Sequence, residues 1–93
     1  MVRGAALGFV ETRGNTGALQ ALDAMLKTAN VEFVKRVEIG GAYVTVLVRG
    51  EVGAVRSAVE AGADAAGRVG ELVCTNVIPS AHAEVFDLIG VER

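Results

Sequence analysis

The chain has 93 residues, of which 52% are apolar, and a formal net charge of −2. This length suits one domain, and the slight negative charge, without a cluster of Lys or Arg, argues against nucleic acid as a partner. No apolar run approaches the ~20 residues that span a bilayer, so no membrane is expected, and a single cysteine, Cys74, excludes an internal disulfide and suits a reducing cytoplasm.

The first strand is predicted at residues 6–12. A turn follows, in which Asn15 or Thr16 caps a helix that runs to about residue 29. Apolar residues at spacings of three and four predict one buried stripe on this helix, formed by Leu19, Leu22, Leu26 and Ala29.

Two further strands are predicted at residues 31–39 and 43–49, and the short connection between them makes them antiparallel neighbours. Lys35 interrupts the alternation of the earlier strand. A second helix begins after Gly50, and the Glu51 carboxylate suits the positive end of its dipole. The buried stripe of this helix is expected to comprise Val52, Val55, Val59, Gly62 or Ala63, and Ala66.

A fourth strand at residues 72–78, which Pro79 ends, and a short tail helix at about residues 82–89 complete the prediction. The order βαββαβ is that of the ferredoxin-like α+β fold, an antiparallel sheet with both long helices on one face, here followed by a short C-terminal helix. Many unrelated functions share this fold, so the fold alone assigns no activity.

Most of the apolar residues are Ala and Val, and Trp is absent. A domain of this size buries only about 60–65% of the surface that its unfolded chain exposes. The surplus of small apolar side chains therefore favours an oligomer with extensive contacts between subunits. A tightly packed monomer with exposed Ala-rich helices is the alternative.

The residues that carry catalysis in other proteins are sparse here. Cys74 alternates with apolar residues in the fourth strand, which is typical of an inert buried cysteine. His82 follows a proline turn and is expected to cap a helix or contact another subunit. One His and one Cys make no metal set, and no glycine motif matches a nucleotide site. We therefore predict no enzyme, no cofactor and no metal.

Gly40 and Gly41 are adjacent at the junction of the second and third strands. Without Cβ atoms the backbone can turn sharply there and present bare N–H groups. In a monomer this turn is only a hairpin. Repeated around a symmetry axis, it becomes a ring of backbone dipoles around an opening.

Three stretches of the chain closely resemble the single-domain, hexamer-forming (BMC-H) shell proteins of bacterial microcompartments. They are ALGFVETRG at residues 6–14 with ALDAMLKTANV at 21–31, EIGGAYVTVLVRGEVGAV at 38–55, and VIPSAH at 77–82. The resemblance implies the bacterial microcompartment fold and a single shell domain over residues 1–93. It further implies a flat homohexamer with a narrow central pore for small polar metabolites, which tiles with other hexamers and other shell proteins of one microcompartment in the cytoplasm.

On this resemblance the pore is lined by Ile39, Gly40, Gly41 and Ala42. The family commonly has Gly-Ser-Gly here, so this chain lacks a ring of hydroxyls and relies on backbone N–H groups, which favour anions and polar solutes. Glu38 stands where relatives often carry lysine. Six copies of it either place a field of carboxylates at the pore mouth, or pair with Arg36 or with a basic side chain of the neighbouring subunit and cancel.

The resemblance also implies contacts between hexamers at their edges, made by Lys27, Asn30, Pro79, Ser80 and His82. The apolar stem of Lys27 would pack across a two-fold contact, and its charge also complements the C-terminal dipole of its helix. Ser80 stands where relatives often have arginine, which weakens the expectation that discs of this protein tile alone.

Two questions stay open at this point. The apolar tail at residues 85–89 packs on its own subunit or accepts a targeting helix from an encapsulated enzyme. The alternative function for the whole chain is an oligomeric regulatory module of the same fold, with an effector bound at a subunit interface beside Gly40 and Gly41.

Overall fold

The computed structural model describes residues 5–90. Its elements occur in the predicted order, which confirms the βαββαβ arrangement with a C-terminal helix: β1 Ala6–Arg13, α1 Asn15–Thr28, β2 Glu32–Glu38, β3 Tyr43–Gly50, α2 Val52–Val69, β4 Glu71–Ile78 and α3 Ala83–Leu88. The strands form one antiparallel sheet in the order β2-β3-β1-β4. The two edge strands of this sheet are therefore β2 and β4.

Different helices pack on the two faces of the sheet. Alternate residues of β1 and β3, such as Val10 and Val46, point toward α1 and α2 and form the main core with them. The opposite face carries Leu7, which packs against Phe86 of α3 in a second, smaller cluster. Both long helices therefore lie on one face, as predicted, and the tail helix covers part of the other.

The start and the buried face of α1 differ from the prediction. Its N-cap residue is Gly14, without a side-chain cap, because the Asn15 side chain is held by a residue of β2. The predicted stripe is half correct: Leu22 and Ala29 pack against the core, whereas Leu19 and Leu26 are exposed. The fully buried residues of α1 are Gly17, Ala18, Ala21 and Met25.

The reason is the close approach of α2. A Cβ atom at Gly62 of α2 would lie 2.7 Å from Met25 Cγ and 3.3 Å from Ala21 O, so α2 has no room for a side chain at this position. Gly62 therefore receives the unbranched side chain of Met25, and Leu19 and Leu26 lie outside this contact. The spacing of three and four was correct for a helix, but it placed the stripe partly off the buried face.

The sequence prediction was accurate for α2. Glu51 caps it, and its Oε1 accepts hydrogen bonds from Gly53 N at 3.0 Å and Ala54 N at 3.2 Å. The buried residues, Val55, Ala58, Val59, Gly62 and Ala66, largely match the expected stripe. Within residues 5–90, no helix combines the length and the hydropathy needed to cross a membrane.

Both edge strands are irregular. The register of β2 shifts between Phe33 and Lys35, which explains why Lys35 breaks the alternation, and Lys35 Nζ donates to Ile89 O at 3.0 Å. On β4 the prediction of a buried Cys74 is wrong, because this residue is exposed. It lies opposite Glu11, on the sheet face away from the long helices, where α3 does not bury it.

The contact of β1 with α2 should be intolerant of even one added methyl group. A Cβ at Gly8 would lie 2.6 Å from Val59 Cγ2 and 2.8 Å from Val55 Cγ1, and these side chains are stiff. We expect Gly8→Ala to lower the free energy of unfolding by about 1–3 kcal/mol, measured by urea denaturation at fixed protein concentration. Gly67→Ala is the control, because nothing lies within 4 Å of its Cβ, and it should raise the value by up to about 1 kcal/mol. Equal effects of the two changes would contradict this account.

Candidate functional site

The candidate site begins at the hairpin loop between β2 and β3. Three consecutive residues have positive φ, at 88° for Gly40, 62° for Gly41 and 67° for Ala42. Tyr43 N donates to Gly40 O at 3.1 Å, which closes a turn with positive φ at both central residues. Such a turn matches the right-handed twist of the strands that it joins. The loop is exposed, and Ile39 at its start has 69% of its surface accessible.

The backbone N–H groups of this loop are open to solutes. In the part of the chain that the structure describes, the amides of Gly40, Gly41 and Ala42 donate no hydrogen bond, whereas Ile39 N donates to Tyr43 O at 3.3 Å. Three adjacent free amides on left-handed backbone can interact with a negatively charged or polar group. The feature predicted from the paired glycines is therefore present in the isolated subunit.

The loop is tied to the core through the β1–α1 junction. Gly14 N donates to Ala42 O at 2.6 Å. Gly14 is itself held by Thr12, which is fully buried and whose Oγ1 donates to Gly14 O at 3.0 Å. The loop position therefore depends on the packed core as well as on the hairpin.

Glu38 precedes the loop and is paired within its own subunit. Arg36 Nη2 lies 3.0 Å from Glu38 Oε2. The same guanidinium donates to Asn15 Oδ1, from Nε at 3.0 Å and from Nη2 at 2.6 Å. The sequence left open whether the Glu38 carboxylate is uncompensated or paired with a basic side chain, and the structure contains the ion pair with Arg36. The part played by Asn15 was missed, because its residue type and position indicated only a helix cap.

The five residues expected at the hexamer edge are all exposed: Lys27, Asn30, Pro79, Ser80 and His82. Lys27 is in the last turn of α1, and its Nζ lies 2.8 Å from Asp23 Oδ2. His82 is the N-cap of α3, where its Nδ1 accepts from Glu84 N at 3.1 Å, so the predicted capping role is confirmed.

The loop and these edge residues lie at opposite ends of the sheet. The pairs Arg13–Tyr43 and Arg13–Glu71 mark the end that carries the loop. The pairs Leu7–Ile78 and Glu32–Arg49 mark the other end, next to the residues that follow α1 and β4. Eight-residue strands separate the two ends by about 27 Å, in a flat subunit measuring 35 × 27 × 16 Å.

A second concave region lies on the uncovered part of the sheet. It is an open groove of about 250 Å³, lined by Phe9, Glu11, Thr45, Cys74, Thr75 and Asn76. Cys74 Sγ donates to Glu11 Oε1 at 3.3 Å, and this hydrogen bond, with slight desolvation in the groove and the carboxylate charge, raises the pKa of the Cys74 thiol. A raised pKa makes the thiol a poorer nucleophile. Across residues 5–90, no group of three or more His, Cys, Asp or Glu side chains is placed to hold a metal.

Comparisons with known proteins give one consistent family. A family model described as the BMC domain matches residues 6–81. The carboxysome shell protein CsoS1B of Hydrogenovibrio crunogenus is 54% identical over 91 residues, which cover 97% of this chain and 94% of that protein. The major carboxysome shell protein CsoS1A of Halothiobacillus neapolitanus is 55% identical over 89 residues, which cover 95% and 91%.

A solved structure agrees with the fold. The crystal structure of a microcompartment protein from Desulfitobacterium hafniense matches with a TM-score of 0.83 and 28% sequence identity. The match covers 96% of this chain but 49% of that one, so the chain spans about half the length of the solved protein. The α+β arrangement predicted from the sequence is thereby confirmed.

The left-handed backbone at Ala42 should be measurable as strain. An alanine at φ 67° is less stable than glycine by about 1–2 kcal/mol, and the greater entropy of glycine in the unfolded chain offsets part of this. We expect Ala42→Gly to raise the free energy of unfolding by about 0.5–1 kcal/mol. Gly41→Ala should lower it by about 1–2 kcal/mol, because its Cβ would also lie 3.2 Å from the Tyr43 ring. Urea denaturation checks both, and shifts in the same direction would contradict the turn geometry.

Proposed function

The chain belongs to the BMC domain family, and we propose that six copies close into a ring with the loop at residues 39–42 around a central pore. The protein is a structural shell protein of a bacterial microcompartment and not an enzyme. Its place is the shell of a microcompartment in the cytoplasm.

The observation that carries the proposal is a pair of different apolar surfaces on opposite sides of the subunit. One, the α1–β2 flank, is formed by Leu19, Leu26 and Phe33, which are 50%, 44% and 46% exposed. The other, the α2–β4 flank, is formed by Val69, Leu72 and Val73. Because α2 packs beside β4 and α1 meets α2 through Ala21 and Met25, the exposed leucines of α1 face away from α2.

Two unlike flanks favour a ring over a two-fold dimer. A two-fold contact uses one self-complementary patch, whereas a contact between different patches repeats until the rotation closes. Each flank also ends in an edge strand, and proteins usually cover such strands. Joining the α1–β2 flank of one copy to the α2–β4 flank of the next would bury both surfaces.

In such a ring the loop end of the flat subunit lies at the centre. Six loops then present the free amides of Gly40, Gly41 and Ala42 around the axis. These dipoles favour anions and small polar solutes. An apolar molecule such as an aldehyde gains little from them, so the ring would pass a polar metabolite while slowing a less polar intermediate.

The opposite end of the subunit lies at the rim of the ring. Lys27, Asn30, Pro79, Ser80 and His82 are exposed there and are the proposed contacts with other hexamers and other shell proteins. The tail helix is divided between two roles: Phe86 is buried on its own subunit, while Leu88 is 86% exposed. Leu88 is therefore the residue that we propose for contact with a targeting helix of an encapsulated enzyme.

Native mass spectrometry and electron microscopy of the purified protein test the ring. We expect a particle of six subunits and, on concentration, extended sheets or tubes. A particle of two, three or four subunits that gains thermal stability from one metabolite would instead indicate a regulatory ligand-binding module.

A charge on the α2–β4 flank should prevent ring closure. Val73 lies at a register shift of β4, is 41% exposed and pairs with no residue of β1, so Val73→Glu should leave the subunit folded. We expect native mass spectrometry to detect this variant as a monomer. Leu88→Glu, on the more exposed residue of α3, is the matched control and should still form rings. Six-subunit particles of Val73→Glu would exclude this flank from the interface.

Removing Lys27 should separate ring formation from tiling. Its pair with Asp23 is exposed and contributes at most about 1 kcal/mol to stability, so Lys27→Ala should still give hexamers, but no sheets in electron micrographs. Arg68→Ala is the control, because Arg68 forms the equivalent pair with Asp64 on α2 and is expected to leave sheets intact. Sheets from Lys27→Ala would show that the proposed edge contact is wrong.

A further inference from the structure

We propose that Arg36 is the positioning residue of the pore mouth: it holds the Glu38 carboxylate against the start of α1 and cancels its charge. This inference rests on the proposed ring, because it concerns the charge that six subunits present around the axis. It assigns a role to Arg36 and Asn15, which line neither the loop nor the edge. Its consequence is a pore whose selectivity comes from backbone amides and not from the acidic residues beside them.

The arrangement follows from the register of β2. Arg36 is opposite Val46 and Glu38 is opposite Val44, and both valines belong to the core under the long helices. Arg36 and Glu38 are therefore on the same side of β2, two residues apart, and they face the layer that contains α1. The first residue of α1 is Asn15, so the three side chains meet where β2 ends and α1 begins.

The Asn15 side chain bonds to the Arg36 guanidinium and not to its own helix. An asparagine at a helix start commonly bonds to the backbone of the first turn. Here Oδ1 instead accepts two N–H groups of the Arg36 guanidinium, and α1 has no side-chain cap. The guanidinium is fixed at two atoms by Asn15 and offers Nη2 to Glu38. A planar, forked donor suits this geometry, and lysine could not reproduce it.

The same junction holds the loop backbone. Gly14, which precedes Asn15, donates to Ala42 O at 2.6 Å. One end of the loop is thus fixed through its backbone and the other through the Glu38 side chain, both to the start of α1. The position of the loop and the charge beside it are set within one subunit, independently of ring closure.

The charges predict the effect on permeation. A carboxylate beside a guanidinium produces a field that falls off faster than that of a single charge, so six such pairs leave the mouth close to neutral. Without Arg36, six uncompensated carboxylates would favour cations. Without Glu38, six guanidinium groups would favour anions.

The experiment compares ion selectivity with assembly. Purified assemblies of wild type, Arg36→Gln, Glu38→Gln and the double variant are inserted in planar lipid bilayers under a KCl gradient, and the reversal potential gives the K⁺/Cl⁻ permeability ratio. We expect a wild-type ratio at or below one, because the backbone amides favour Cl⁻ and the Arg36–Glu38 pairs add no net charge. The ratio should rise roughly three- to tenfold in Arg36→Gln at 0.1 M salt, fall similarly in Glu38→Gln and return to the wild-type value in the double variant.

Arg49→Gln is the matched control. It removes another Arg–Glu pair of the same two strands, Arg49 with Glu32 at 3.0 Å, at the end of the sheet far from the loop. This variant should keep the wild-type ratio. A merely structural role for Arg36 would not produce opposite shifts in Arg36→Gln and Glu38→Gln.

Several results would overturn the inference. A strongly cation-selective wild type contradicts charge cancellation, and so does an unchanged permeability ratio in Arg36→Gln rings. If Arg36→Gln does not assemble, an unchanged permeability ratio in Glu38→Gln rings contradicts charge cancellation instead. A wild type without rings would overturn the proposed function instead. The contact between Arg36 and Glu38 is then tested on the subunit alone. Arg36→Gln and Glu38→Gln should shift the midpoint of urea denaturation non-additively, and additive shifts would refute the contact.

Discussion

The close approach of the two long helices is the constraint on which the rest of the structure depends. Gly62 leaves no room for a side chain of its own, so α1 lies close to α2 through Ala21 and Met25. Leu19 and Leu26 lie outside this contact and are exposed on the outer side of α1. The close contact of the helices thus leaves apolar surface on the flanks of the subunit, which the proposed ring would cover. In that ring, packing inside the subunit and assembly between subunits would have one physical cause.

The loop at residues 39–42 shows a second way in which the core controls a surface feature. Its backbone is left-handed at three successive residues, and one of them, Ala42, has a Cβ that disfavours this conformation. The strained conformation persists because surrounding groups hold it, above all Gly14, which is itself bonded to the buried Thr12. The size of an opening formed by such loops would therefore be fixed by backbone geometry and would depend little on side-chain rotamers.

The length of the sheet separates the two kinds of contact that a shell requires. The loop is at one end of the strands, and the exposed turn at Pro79 and Ser80 is at the other, with the packed core between them. In the proposed ring, substitutions at the rim would therefore alter tiling without reaching the pore. Charges follow the same separation, because Arg36 and Glu38 neutralise each other at the loop end while Lys27 and Asp23 do so on α1.

Much of this protein was determined by local sequence. The alternation of β3, the Glu51 cap of α2 and the two glycines of the loop act over a few residues, so the amino-acid sequence by itself indicates the order of elements, the hairpin and the family. Tertiary structure decided the rest. The spacing of leucines indicates a helix but not its distance from a neighbour, and that distance chose the buried face of α1. Likewise, alternation predicts that Cys74 is in a strand, but only the order of strands places it on an exposed edge. Asn15 has Arg36 as its partner because β2 returns to the start of α1, a proximity that residues 21 positions apart acquire only in the folded chain.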